Sequence, residues 1–449
     1  MSESSAFDVV VIGAGFAGLS AAVRAAGRGA RVLVVEAKSR LGGRATAFTD
    51  RETGELVDNG QHILLGCYRE TFSFLAAVGA ADRVRLQSQL AVTMVDRTGR
   101  LSRLACPALP APLHLVAGVL EWEALSWPDR LSVLGMARPL KLARRELRGD
   151  AAVKAASPGE TVTAWLERNG QTPRLREMLW DPLALAALNQ PPSQAAAPAF
   201  ARVLAEMFGP DPASAAIALP TQPLHLMYAE PARHWLETHG CRVLTGAPAK
   251  VRIGGDRGLA VETAAGRWTT GSVISAVPWF AFGELFDDVP AELTAIAHGA
   301  AQMAASPIVT VNLWFDRPVI DEPFIGLPGR TMQWVFDKRA VFGAESSHLS
   351  LVSSGAAQMV GAAYDELITL AYQELLDALP RVRAATLKRA TVVREPRATF
   401  SLAPGQPARP DLMTPIKGFL LAGDWIATGL PATIESAVRS GHRAADLIE

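Results

Sequence analysis

Cysteine is scarce in this chain. Of 449 residues only Cys67, Cys106 and Cys241 are cysteines, an odd and widely spaced set. No Cys-x-x-Cys pair or metal-ligand spacing exists, which argues against a disulfide scaffold or a metal site and points to a reducing, cytoplasmic compartment. An excess of either charge is also missing. Lys plus Arg and Asp plus Glu each number 44, so no global field attracts nucleic acid. Long unbroken apolar runs are lacking too. The longest uncharged stretches, Leu104–Leu120 and Pro182–Ala201, are interrupted by prolines, so neither reads as a spanning helix. The N-terminal tip is acidic and Ser-rich with no basic region, so Val9–Ile12 is expected to be a strand and not a signal peptide.

What is present is a chain that is 49% hydrophobic and long enough for two interleaved domains. Phe7–Ile12 reads as a strand, Leu19–Arg28 as an Ala-rich helix and Arg31–Glu36 as a second strand, a βαβ unit that opens an α/β sheet. Between about 68 and 220 Leu, Ala, Pro and Trp dominate and the periodicity turns helical, as in Pro128–Arg148. Strand patterns return at Arg242–Ile253, Leu259–Thr263 and Ser272–Val277, then at Ile308–Phe315 and Thr331–Phe336. A helix is expected over Tyr364–Leu379, a last strand at Gly418–Gly423 and a last helix at Ala432–Ile448. The predicted fold is therefore α/β: a Rossmann-like dinucleotide domain from residues 1–67, 221–285 and 395–449, interleaved with a mixed-sheet and helical substrate domain from 68–220 and 286–394.

Gly13-Ala14-Gly15-Phe16-Ala17-Gly18 follows a strand and opens a helix. The first Gly permits the tight turn, the second lets pyrophosphate approach the backbone, and the third lets helix and strand pack closely. Free N–H groups and the positive dipole end of the helix suit phosphate. Glu36, 18 residues after Gly18, ends the second strand where a carboxylate accepts ribose hydroxyls, and Ala37 follows it. Arg40-Leu41-Gly42-Gly43-Arg44 then sets two glycines between guanidinium forks that fit phosphate oxygens.

Here the sequence resembles the amine oxidase and phytoene desaturase superfamily of FAD enzymes, which carries this second motif. Leu420-Leu421-Ala422-Gly423-Asp424 agrees: the resemblance implies that Asp424 contacts the ribityl–phosphate part of FAD, beside Trp425. Ala432-Thr433-Ile434 leads into a helix N-terminus whose N–H groups would face the flavin and stabilise negative charge on its reduced form. Asp58-Asn59-Gly60-Gln61-His62 is similar to segments that run along the isoalloxazine ring, which puts Gln61 or His62 beside the flavin. His62 could equally be a satisfied structural histidine. A backbone contact to adenine is expected near Gly246–Ile253, through Ala249 or Val251.

Three longer segments, Asp58–Glu70, Met332–Lys338 and Ala422–Ser436, look like the hydroxysqualene dehydroxylase family. That resemblance implies reductive loss of an allylic hydroxyl from a long isoprenoid lipid, giving squalene and water while the reduced cofactor is reoxidised by substrate; the electron donor that recharges it is unknown. Hydroxide leaves poorly, so a general acid is needed, with His62, Tyr68 and Asp337 as candidates by residue type. An allylic cation must be shielded from water and could rest against aromatic faces, among them Trp279, Phe280, Phe282, Trp314, Phe315, Trp334, Phe336 and Trp425. Alternation along Thr331–Phe336 sets Gln333 and Val335 on one face and Trp334 and Phe336 on the other.

Leu113, Leu115, Val116, Val119 and Leu120, with Trp122 and Trp127, precede a basic cluster of Arg138, Lys141, Arg144, Arg145 and Arg148. Residues 107–150 therefore suit either peripheral contact with an anionic membrane, on the inner face of the cytoplasmic membrane, or a buried insertion with a solvated basic face. Rival readings are an isoprenoid desaturase running electrons the other way, an amine oxidase, and a non-enzymatic prenyl-lipid carrier. A prenyltransferase lacks support, because Asp287-Asp288 stands without a second acidic motif.

Overall fold

A computed structural model describes residues 7–147, 155–209, 211–254 and 258–448. Strand β1 (Val9–Ile12), helix α1 (Phe16–Gly27) and strand β2 (Val32–Val35) form the expected unit. Both strands are buried on both faces, as a run of Val, Ile and Leu inside a parallel sheet requires. The sheet has five parallel strands in the order Arg242–Leu244, β2, β1, Ser272–Ser275 and Phe419–Leu421. Its strand order reverses beside β1: one neighbour follows β1 directly and the other arrives from residue 272. That makes the Gly13 end of β1 the crevice at which an open α/β sheet receives a ligand.

On one face α1 packs against the helix Ile434–Asp446, so closely that a Cβ at Gly441 would run into the Ala17 carbonyl. Arg24 joins Asp446 across this contact at 2.7 Å. The helix Arg69–Ala77 packs on the same layer through Phe74 and Leu75, and its first N–H groups, those of Glu70 and Thr71, are capped by Glu435 at 3.1 and 2.9 Å. The other face is covered by an antiparallel meander, Lys250–Gly254, Gly258–Thr263 and Gly266–Thr270, and by Trp268, Trp279, Phe282, Phe286 and Trp425. The predicted strand Arg242–Ile253 is thus two strands in two sheets, divided at the 245–249 turn where Gly246 takes φ +65°.

A second sheet of seven strands runs in the order 387–400, 305–315, 347–354, 334–337, 324–326, 91–95 and 101–105. Alternation gives it two different faces. Val309, Val311, Leu313, Phe315 and Val335 pack under the helix Tyr364–Ala378, while Trp334 and Phe336 belong to a helical core on the other side. The strand Leu387–Phe400 continues past residue 395 as part of this sheet.

The helical core is built from Leu113–Glu121, Trp127–Ser132, Ala137–Arg145, Val162–Arg168, Asp181–Leu188 and Ala197–Met207. The predicted helix Pro128–Arg148 is broken at 133–136, where Gly135 lies against the Asn169 carbonyl with no room for a Cβ. Arg148 lies outside the described residues. Among the described residues no helix is long and apolar enough to cross a membrane, and no cluster of three His, Cys, Asp or Glu could hold a metal ion. All three cysteines are free thiols.

Candidate functional site

The Gly13–Gly18 turn is shaped by absent side chains. Gly13 adopts φ +105°, and a Cβ there would lie 2.8 Å from the Ala276 carbonyl oxygen. A Cβ on Gly18 would collide with the Gly13 carbonyl. Gly15 differs: its φ of −86° suits any residue, and a Cβ there would meet only Gly43 Cα, at 3.9 Å. No side chain caps α1 and its first turn holds no acidic residue, so Phe16, Ala17 and Gly18 open the helix with its positive end uncovered. An anion fits that end, which is the chemistry pyrophosphate needs.

Glu36 is buried and its carboxylate is already oriented, with Oε2 accepting from Ala14 N at 2.8 Å and Oε1 from Lys38 N at 2.9 Å. Two of roughly four acceptor positions remain for another donor. Ala37 and Arg40 are exposed beyond it. The turn at Gly246 and Ala247 packs on the backbone of Glu36–Lys38, donating to Lys38 O and Glu36 O at 2.8 Å each. Val251 sits further on, with its side chain in the core and its backbone paired with Val261.

Gly42 and Gly43 take φ +103° and +59°, and a Cβ on Gly43 would press on Gly15 Cα at 3.3 Å. The two glycine motifs therefore meet backbone to backbone. Tyr228 stacks on Phe16 at 3.5 Å and donates to Gly42 O at 2.8 Å, which fastens the second turn over α1. Arg44 completes the junction: it reaches Asp424 at 2.6 Å and lies 5.5 Å over the Trp279 ring. Asp424 follows Gly423, whose N–H donates to Ser440 Oγ at 2.8 Å, and a Cβ on Gly423 would strike Trp425. Trp425 is itself fully buried in the core behind the sheet, with its indole N–H on Val277 O at 3.0 Å. Ala432 and Ile434 flank Thr433, which caps the helix Ile434–Asp446 by accepting from Ser436 N at 3.1 Å.

A family profile described as flavin-containing amine oxidoreductase matches residues 16–449. The chain belongs to that family. It is an FAD-dependent oxidoreductase, and the meeting of its two glycine turns with the Arg44–Asp424 pair fits an extended dinucleotide. It is similar to hydroxysqualene dehydroxylases from Sinorhizobium fredii and Zymomonas mobilis, at 29% identity, covering 98% and 97% of this chain and 98% of each relative. A 15-cis-phytoene desaturase from an Oncidium hybrid cultivar is 26% identical over 98% of this chain and 77% of its own length. Among solved structures, a Methanosarcina mazei oxidoreductase superposes with TM-score 0.73 at 17% identity, covering 98% of this chain and 99% of the other. Putrescine oxidase bound to putrescine superposes at 0.71 with 18% identity over 98% of each chain. At those identities the solved structures carry the fold alone.

In this flavoprotein the segment Asp58–His62 lies against the seven-stranded sheet at Thr310. Gly60 takes φ +130° and a Cβ there would touch Thr310 Oγ1 at 3.9 Å. His62 Nδ1 is 3.0 Å from the Gly60 carbonyl, which only accepts, so Nδ1 carries the proton and Nε2 is free as an acceptor. Burial, reinforced by Arg44 and Lys338, holds its pKa below the usual imidazole value. The resting His62 is thus a neutral acceptor and is not charged as a proton donor.

Asp337 is occupied as well. It caps the helix Lys338–Phe342 through Arg339 N at 2.9 Å and pairs with the Arg339 guanidinium at 3.0 Å. Gln333 ties two strands together, accepting from Ser354 N at 2.7 Å and donating to Ser353 at 3.4 Å. Trp334 is buried beside Phe324, and its indole N–H has no partner. Sequence reading missed Lys338. Its ammonium is buried, bonds the Gln61 side chain and pairs with Asp58. A lysine next to an aspartate in a family-like segment gave the only hint, and charge normally signals surface.

Proposed function

We propose that this enzyme removes the allylic hydroxyl of hydroxysqualene reductively, giving squalene and water. The observation that carries this reading is the degree of similarity along the whole chain: the hydroxysqualene dehydroxylases are 29% identical over 98% of their own length, the 15-cis-phytoene desaturases 25–26% identical. In this assignment the Gly13–Gly18 N–H groups would hold the pyrophosphate and Glu36 the adenosine ribose, with Val251 or the backbone at Gly246–Ala247 toward adenine. Arg40, Gly42, Gly43 and Arg44 would line the phosphate side, Asp424 the ribityl side. Gly60, Gln61 and His62 would line one side of the ring and Ala432, Thr433 and Ile434 the other. Bound FAD, once reduced, supplies the hydride.

The chain's own contribution is orientation. Lys338 fixes the Gln61 side-chain oxygen, so the Gln61 amide is presented as a donor. His62 offers an unprotonated Nε2. Burial raises the Asp337 carboxyl above its usual value, but that carboxyl is committed to Arg339, and His62 rests neutral. Of the candidate aromatic side chains, Trp334 and Phe336 face the helical core, whereas Trp279, Phe282 and Trp425 lie behind the parallel sheet and Phe315 under the helix Tyr364–Ala378. The substrate is a membrane lipid in this reading, and Leu113, Trp127, Leu131 and Leu134 are 50–65% exposed on the helical part. We assign that surface to peripheral contact with anionic membrane.

Anaerobic mixing of photoreduced enzyme with hydroxysqualene, with the lipid identified by mass spectrometry, tests the reaction. Squalene formed in step with flavin reoxidation is expected. Flavin that stays reduced, together with bleaching of oxidised enzyme by phytoene, would establish a desaturase instead.

A further inference from the structure

One guanidinium beside the cofactor crevice belongs to none of the motifs described above. Arg397 is an exposed residue near the end of the strand Leu387–Phe400, and its guanidinium carbon lies 3.8 Å over the ring of Phe280. A carboxylate stands two residues away, but it is turned elsewhere. Glu395 Oε2 accepts from Asn59 Nδ2 at 2.9 Å, and Oε1 accepts from the Arg397 backbone N–H at 3.4 Å. Among the described residues no carboxylate pairs with the Arg397 side chain.

The contacts of its neighbours tie Arg397 to the crevice. Ala398, the next residue, accepts from Arg44 Nη1 through its carbonyl at 2.7 Å, and Arg44 in turn holds Asp424. Phe280 packs edge-on against Trp279 at 5.0 Å, and Trp279 is the ring that Arg44 covers at 5.5 Å. Two guanidinium–aromatic pairs therefore stand side by side. Their rings belong to the loop that leaves the strand Ser272–Ser275, and Ala276 in that loop is the residue a Cβ on Gly13 would strike. This is the carboxyl edge of the parallel sheet, where an open α/β sheet takes its ligand.

Charge separates the two arginines. The charge of Arg44 is met by Asp424 at 2.6 Å. Arg397 keeps its charge unmatched beside a crevice whose ligand is a pyrophosphate. An aromatic face braces a guanidinium without using its N–H donors, so the fork stays available to phosphate oxygens.

We propose that Arg397, braced on Phe280, is a phosphate ligand for the pyrophosphate of FAD, supplied by the seven-stranded sheet, so that both sheets retain the cofactor. The inference needs only the flavin cofactor and is independent of the dehydroxylation reading. A charge-assisted contact of this kind is strong and weakens with salt.

The test follows release of FAD from purified holoenzyme after dilution, by flavin fluorescence, at low and at high salt. Arg397→Gln should speed release about tenfold at low salt, the scale of one hydrogen bond to a charged group. Its difference from wild type should shrink at high salt, which a merely loosened fold would not show. Arg397→Lys keeps the charge and loses the fork, so it should fall between the two. Arg394→Gln removes the same charge from the same strand, where the Ala362 carbonyl holds the guanidinium at 2.6 Å. That control should release FAD as wild type does. Circular dichroism of each protein checks the fold. Release at the wild-type rate from Arg397→Gln, acceleration that salt does not reduce, or equal acceleration in Arg394→Gln overturns the proposal.

Discussion

Lys338 Nζ lies 3.0 Å from Asp58 Oδ2, and each side chain is 2% exposed. The pair joins the Asp58–His62 segment to the end of the strand Trp334–Asp337, two stretches 280 residues apart. Asp58 also accepts from Leu224 N at 3.1 Å, and the ammonium lies 4.5 Å over the Phe342 ring. The chain thus fixes one wall of its candidate cofactor site with a charge pair in a place where water cannot compensate either partner.

Removing one member of such a pair leaves the other charge buried and unpaired, which costs roughly 3–5 kcal/mol. Lys338→Met and Asp58→Asn are each expected to lose stability on that scale in guanidinium unfolding at saturating FAD. The double variant should lose distinctly less than the sum. Strictly additive losses would show that the two side chains do not act as a pair.

Gly15 separates the needs of the fold from those of the cofactor. Alanine there meets ordinary backbone angles and no protein atom closer than 3.9 Å. Gly15→Ala should therefore unfold as wild type when measured as apoprotein, yet bind FAD at least about tenfold more weakly. Gly18→Ala should instead destabilise the apoprotein, because its methyl runs into the Gly13 carbonyl. Apoprotein melting and FAD titration by fluorescence quenching distinguish the two. Normal FAD affinity in Gly15→Ala would contradict a close approach of pyrophosphate to this turn.

The motifs at both chain ends were legible because glycine, glutamate and aspartate at fixed spacing perform backbone work that few other sequences do. Glu36 is held by Ala14 N at the end of β2, and Asp424 meets Arg44. The face assignment of Val335 against Trp334 was legible for a related reason, since a two-residue period survives any register. Lys338 was not legible, because nothing local shows that a lysine will find Asp58 across the fold. Nor was the role of Asp337: residue type suggests an acid, and only the following helix start shows a cap. The division of Arg242–Ile253 into two sheets was hidden for want of any signal stronger than one glycine.

Asp50 and Asp96 predict how the fold responds to acid. Burial alone would raise both carboxyls, but Arg389 and Thr53 around Asp50, and Thr98, Arg174 and Arg100 around Asp96, outweigh it and hold each at about 2. Each group binds its proton more weakly folded than unfolded. Its stabilisation is therefore complete above the ordinary value of 3.8 and is lost as pH falls through about 2. Urea unfolding at pH 5, 3.5 and 2 should show a decline that begins in the upper interval and is steeper in the lower one. Asp96→Asn should start less stable at pH 5 and decline less steeply, and an equal slope would exclude Asp96 from the acid response.

The last expectation concerns the surface at Leu113–Leu142. Leu115, Val119 and Trp122 are buried, while Leu113, Trp127, Leu131, Leu134 and Leu142 stay 38–65% exposed, next to exposed Arg138, Lys141 and Arg145. Burying such side chains in an interface gains roughly 25 cal/mol per Å² of apolar area, and basic neighbours add about 1 kcal/mol each on anionic lipid. Flotation with phosphatidylglycerol vesicles should carry the wild-type protein, weakly with phosphatidylcholine. Leu113→Ser with Trp127→Ala and Leu131→Ser should lose binding to both, whereas Arg138→Glu with Lys141→Glu should lose only the salt-sensitive part. Equal, salt-independent recovery of all three proteins in the unbound fraction would mean that these leucines face something other than lipid.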